Sequence, residues 1–110
     1  MSKFEKHLTV ICDNLKARVD SSKIEINPST YSREKIRYTV EVEIDEISSE
    51  TENVRTITIV EDEENENDAV YECRRVDEEY SEDNVKSLSL TYDLEIDTEN
   101  VLKIIKNYFE

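Results

Sequence analysis

The 110-residue chain contains no glycine and no tryptophan, a single proline and two cysteines. Without glycine there is no Gly-rich loop to cradle a dinucleotide or nucleotide phosphate, and no Gly-flanked nucleophile elbow. Cys12 and Cys73 stand far apart without CxxC spacing, and His7 is the lone histidine, so no cysteine–histidine cluster of transition-metal type can form. Both cysteines read as small, reduced hydrophobic residues. No apolar run approaches the roughly 20 residues of a membrane-spanning helix, and Met1-Ser2-Lys3-Phe4-Glu5-Lys6 leads into no signal-peptide core. A soluble cytoplasmic protein without cofactors is the expectation.

What is present is periodic. Ser2-Lys3-Phe4-Glu5 has the form of a capping box, and Phe4, Leu8, Ile11, Leu15 and Val19 recur at spacings of three and four, which predicts a one-sided helix over about 3–20. Ile24 to Ile26 reads as a short extended piece before a turn at Asn27-Pro28-Ser29. From Ile36 to Ile44, apolar residues alternate with Arg37, Thr39, Glu41 and Glu43, the pattern of a half-buried strand. Further strands are predicted at 54–60, at 69–76 with Tyr71 and Cys73 inward, and at 88–96, with Tyr38 and Tyr92 also inward. A second helix, over about 98–109 and capped by Asp97 or Thr98, presents Val101, Leu102, Ile105, Tyr108 and Phe109. The expected fold is α+β in a single domain, 1–110. An antiparallel four-stranded sheet is flanked in sequence by an N-terminal and a C-terminal helix, both packed on one face.

The chain has 28 Asp and Glu against 14 Lys and Arg, a formal charge of −14. Residues 1–37 carry a net +3, residues 38–100 a net −18 and residues 101–110 a net +1, so the acid belongs to the expected sheet and not to the helices. Glu41, Glu43, Asp45 and Asp93, Glu95, Asp97 are two i, i+2 series. On strands their carboxylates would recur at about 6.6 Å, and two such rows side by side would offset to about one per 3.3 Å, near the spacing of charges along one DNA strand. Like charges about 6.6 Å apart repel by about 0.6 kcal/mol even in water. An ordinary solvated face mixes Lys with Glu and avoids that cost. Acidic loops at 61–68 and 77–84 extend the field. Halophilic adaptation would also explain acid, but the abundance of Ile, Asn and Lys and the lack of Gly fit an A/T-rich coding genome better.

Catalysis is not expected. A carboxylate acting as acid needs an apolar pocket to raise its pKa, and every pair here falls on a predicted solvent face or loop. His7 reads as a surface or boundary residue with no nucleophile near it. The Asp62–Asp68 loop offers oxygen ligands but lacks the central glycine and the spacing of an EF-hand, so no dedicated metal site is expected. Direct nucleic-acid binding is opposed by the charge, with Lys3, Lys6, Lys16, Lys23, Arg33, Lys35 and Arg37 spread among turns and helix faces.

The small size, the charge and the ladders Glu41-Val42-Glu43-Ile44-Asp45 and Asp93-Leu94-Glu95-Ile96-Asp97 resemble small viral DNA-mimic inhibitors of the anti-CRISPR and anti-restriction type. The resemblance implies a non-enzymatic inhibitor that evades host defence by occupying the basic DNA- or RNA-binding channel of a nuclease complex. The partner-binding residues would be the two ladders, Glu61, Asp62, Glu63 and Glu64 of the first acidic loop, and Asp77, Glu78, Glu79 and Tyr80 of the second, with Tyr31 a further aromatic anchor. The alternative is a protein–protein interaction or assembly module, an immunity-type protein or a self-associating subunit such as a homodimer, whose acidic face is only solvated.

Overall fold

A computed structural model describes residues 3–33, 37–47, 55–62, 64, 65, 67–75 and 85–109, with 29–33 and 37–41 described by backbone alone. Helix α1 (Lys3–Arg18) is followed by five strands, β1 (Ile24–Arg33), β2 (Arg37–Glu46), β3 (Arg55–Glu61), β4 (Ala69–Arg75) and β5 (Val85–Leu88), and by helix α2 (Leu94–Phe109). The strands form one antiparallel meander in the order β1-β2-β3-β4-β5. The α+β class and the two flanking helices match the sequence pattern; the sheet has five strands rather than four.

The additional strand is β1. Asn27-Pro28-Ser29, expected to turn the chain, lies inside a ten-residue strand that pairs with β2 from Ile24 opposite Glu46 to Arg33 opposite Arg37. Proline cannot donate to a ladder, but β1 is at the edge of the sheet, where one side of the strand needs no partner.

Alternation sorts the strands into two faces. Val42, Ile44, Ile57, Ile59, Ala69 and Leu88 point inward with Ile26, and the helices cover them with Phe4, Leu8, Ile11, Cys12 and Leu15 from α1 and Val101, Leu102 and Ile105 from α2. The Val, Leu, Ile and Phe side chains among them are worth about 1.5–3 kcal/mol each when fully buried. Tyr71 and Cys73 pack against the core edge, as their inward positions predicted. Cys12 and Cys73 are both free thiols, and burial pushes the Cys12 thiol up to about 11.

The chain lacks glycine, yet two described residues adopt the left-handed conformation that glycine would relieve: Asn67 (φ 70°) and Tyr92 (φ 62°). Asn tolerates this region; for a bulky residue it costs of order 1–3 kcal/mol. The two positions support each other, because the Tyr92 hydroxyl donates to the Asn67 carbonyl. At the opposite end of the sheet, Arg55 on β3 takes Glu46 in two hydrogen bonds of 2.8 and 2.9 Å and donates to the carbonyls of Tyr108 and Phe109 at 2.7 and 3.1 Å. Those carbonyls close α2 and have no helical partner, so one guanidinium ties the helix end to the start of β3.

Candidate partner-binding surface

Glu43 and Asp45 lie on the outer face of the sheet, opposite the helices. Glu43 is exposed between Asn27 and Thr58 of the neighbouring strands, and Asp45 is half-buried between Glu25 and Thr56. Asp45 accepts hydrogen bonds from the Thr56 hydroxyl at 3.0 Å and from Asn27 Nδ2 at 3.3 Å, so it also braces three strands. Glu41 lies on the β2 backbone opposite Ser29. Glu25, exposed on β1, adds a carboxylate that the sequence reading did not single out. Across β3, β4 and β5 the same face changes character: Thr58, Val60, Val70 and Val85 are half-buried there, with Glu72 and Arg74 among them. The acid of the sheet is thus gathered on its β1–β2 side.

The second ladder does not form. Residues 93–97, expected on a strand, make the start of α2, and the strand itself is only Val85–Leu88. Asp93 caps the helix: its Oδ1 accepts the backbone N–H groups of Glu95 and Ile96, each at 3.0 Å. The helix therefore begins four residues earlier than predicted, with Asp93 in the capping role assigned to Asp97 or Thr98. Asp93 and Glu95 are exposed at the helix start, not on a sheet face, and the phosphate-like spacing of two adjacent rows is lost with the strand.

Asp97 is 1% exposed, and His7, expected at the surface or its boundary, is 8% exposed and buried. His7 Nε2 donates to Asp97 Oδ2 at 2.6 Å, and the same carboxylate accepts the Thr91 and Tyr92 backbone N–H groups and the Thr91 hydroxyl. Burial alone would raise this carboxyl; the hydrogen bonds from Thr91, His7 and Tyr92 outweigh it and hold the group below 3.8. The Tyr92 ring, expected to point inward from a strand, stacks on His7 at 4.6 Å with Lys3 Nζ 4.0 Å from its centre. A signal for this clasp lies in the sequence. His7 is four residues before Ile11 and Asp97 four before Val101, so both belong to the inward stripes of their helices.

The remaining acidic candidates divide. Glu61 ends β3 and is buried at 4% exposure, so it is no surface group. Asp62 is taken up by its own turn, accepting the Glu64 N–H at 2.9 Å and Asn65 Nδ2 at 3.1 Å, which hold its carboxyl below the ordinary aspartate value; Glu64 is exposed. Asp68 Oδ1 accepts the Leu90 N–H at 3.2 Å, and that bond joins this turn to the segment leading into α2. Asp62, Glu64, Asp68, Asp93 and Glu95 therefore share one end of the molecule. Ser2, Glu63, Asp77, Glu78, Glu79 and Tyr80, the connection at 48–53, and the side chains of Tyr31, Tyr38 and Glu41 lie outside the described residues.

The helix layer has the opposite balance. Together α1 and α2 carry six Lys or Arg and five Asp or Glu, and two of those five, Glu5 and Asp97, are buried. Among the described residues no group of three or more His, Cys, Asp or Glu is arranged to hold a metal ion, and no helix is long and apolar enough to cross a membrane. No protein-family model, curated protein or solved structure matches the chain.

Proposed function

We propose that the protein is a non-enzymatic binding protein that presents carboxylates to a basic, nucleic-acid-binding surface of a partner, as a nucleic-acid mimic does. The supporting observation is segregation: Glu25 and Glu43 stand exposed on the sheet face away from the helices, while the helix layer carries a near-neutral balance of charge. Carboxylates on a rigid β-ribbon meet arginine forks without first being ordered, and a chain of charge −14 attracts a basic partner from a distance. Because the second acidic row is a helix start, the contact depends on the β1–β2 side of the plate and on the acidic end of the molecule, not on matched phosphate spacing.

The test is capture of nucleases and other nucleic-acid-binding assemblies on immobilised protein, with duplex DNA and RNA as competitors. Partners displaced by polynucleotide, and not retained by a Glu25→Lys/Glu41→Lys/Glu43→Lys variant, are expected. Retention by that variant, or indifference to both competitors, would refute the reading.

A second reading, an assembly module, draws on Val10 and Leu94, each 40% exposed, and Ile96, 49% exposed, on the helix layer. Val10 and Leu94 border a shallow depression with Lys3, Lys6 and Tyr92. Sedimentation that finds a stable homodimer, dissociated by Val10→Asp/Leu94→Asp, would favour it.

A further inference from the structure

The amino ends of the two helices meet at His7 and Asp97, whereas their carboxyl ends flank a cleft of about 320 Å³. This volume is within the range of small-molecule sites. Leu102 and Ile105, 5% and 2% exposed, belong at once to the core and to the cleft floor, and half-buried Val19, Ile24 and Phe109 form its walls. Ile47, 47% exposed, also lines the cleft, and its N–H donates to the Lys23 carbonyl at 2.7 Å, which continues the β1–β2 pairing along that wall. Apolar walls open to water in this way gain by taking up an apolar ligand.

The charges on the rim are unequally engaged. Glu46 is held by Arg55, Asp20 accepts the N–H and hydroxyl of Ser22 at 3.0 and 2.6 Å, and Arg18 pairs with Glu99. Lys23 lies within the electrostatic reach of Asp20, but neither Lys23 nor Lys106 makes an ion pair among the described residues, and both are exposed at the cleft. The engaged carboxylates offer a ligand little, while among the described residues no carboxylate neutralises either ammonium group in an ion pair.

We propose that this cleft binds a small amphipathic anion, with its apolar body against Ile105 and Phe109 and its single carboxylate at the rim with Lys23 and Lys106. Elsewhere the chain, at −14, repels anions. Non-specific uptake of an apolar tail by so acidic a protein would favour a cationic head group, so the sign of the preferred ligand separates a built site from simple adsorption.

The experiment titrates the full chain with decanoate and, separately, with decyltrimethylammonium, each below its micellar concentration, and follows backbone amide shifts. Saturable decanoate shifts confined to Ile24, Ile47, Ile105 and Phe109 are expected, with the cation at least tenfold weaker there. Lys23→Glu/Lys106→Glu, two surface changes that leave the remaining amide spectrum in place, should weaken decanoate at least tenfold, and Lys3→Glu/Lys6→Glu should not. Equal or tighter binding of the cation, decanoate shifts centred on Val10, Tyr92 and Leu94, or no saturation at millimolar decanoate would overturn the proposal. None of these outcomes depends on whether the acidic face has a partner.

Discussion

Glu41-Val42-Glu43-Ile44-Asp45 and Asp93-Leu94-Glu95-Ile96-Asp97 have nearly the same alternation and opposite structures. In the first, Val42 and Ile44 are fully buried and Glu43 is exposed; in the second, Leu94 and Ile96 are 40% and 49% exposed and Asp97 is 1% exposed. The sidedness has inverted. Alternation reports burial only once the backbone is a strand. At 93–97 a cap on Asp93 and four hydrogen-bond donors around Asp97 offer a helix start instead. Five carboxylates and hydrophobes in the same order thus serve a surface in one place and a buried clasp in the other.

The comparison can be broken most forcefully at its two isoleucines. Ile44→Ala should cost about 2–5 kcal/mol of stability by opening a cavity, and Ile96→Ala less than about 0.5 kcal/mol, because half of that side chain is already in water. Urea unfolding of the two variants decides this; equal losses would mean that 93–97 packs as the strand its pattern suggests. Next in size, Asp97→Asn should lose about 3 kcal/mol by removing the charge that His7 and the Thr91–Tyr92 backbone were arranged to meet. Glu43→Gln should change stability by less than about 0.5 kcal/mol.

The pH dependence follows from the same clasp. Because the folded-state value for Asp97 is depressed below 3.8, its contribution is fully present above that unfolded-state value and is lost as pH falls through the folded one. Glu46, whose carboxyl the Arg55 hydrogen bonds hold below 4.5, acts in the same direction. Acid unfolding of the native chain should therefore steepen below about pH 4, and Asp97→Asn should show a shallower loss over that window in a chemical-denaturation series. The effect at the cap is local: Asp93→Ala should cost about 1 kcal/mol and speed amide exchange at Glu95 and Ile96, with little change in the middle of α2.

Much of the fold was legible because it rests on period alone. Phe4, Leu8, Ile11 and Leu15 could cover only one side of a helix, and Val42, Ile44, Ile57 and Ile59 only one side of a sheet. The candidate surface was legible in part. Glu43 faces outward as its position in the alternation requires, whereas Asp97 and Glu61 are buried and Asp62 is spent on its own turn. β1 was hidden by Asn27-Pro28-Ser29, which favours a turn locally; ten pairs with β2 outweigh that preference at an edge where proline needs no donor.

By itself the sequence determined the α+β class, the inward stripes of both helices and the concentration of acid between residues 38 and 100, since these follow from spacing and side-chain type. Only the tertiary structure decided which carboxylates reach solvent. A buried charge is tolerated where donors from distant parts of the chain converge on it, and the convergence of His7, Thr91 and Tyr92 on Asp97 spans 90 positions that no local pattern connects.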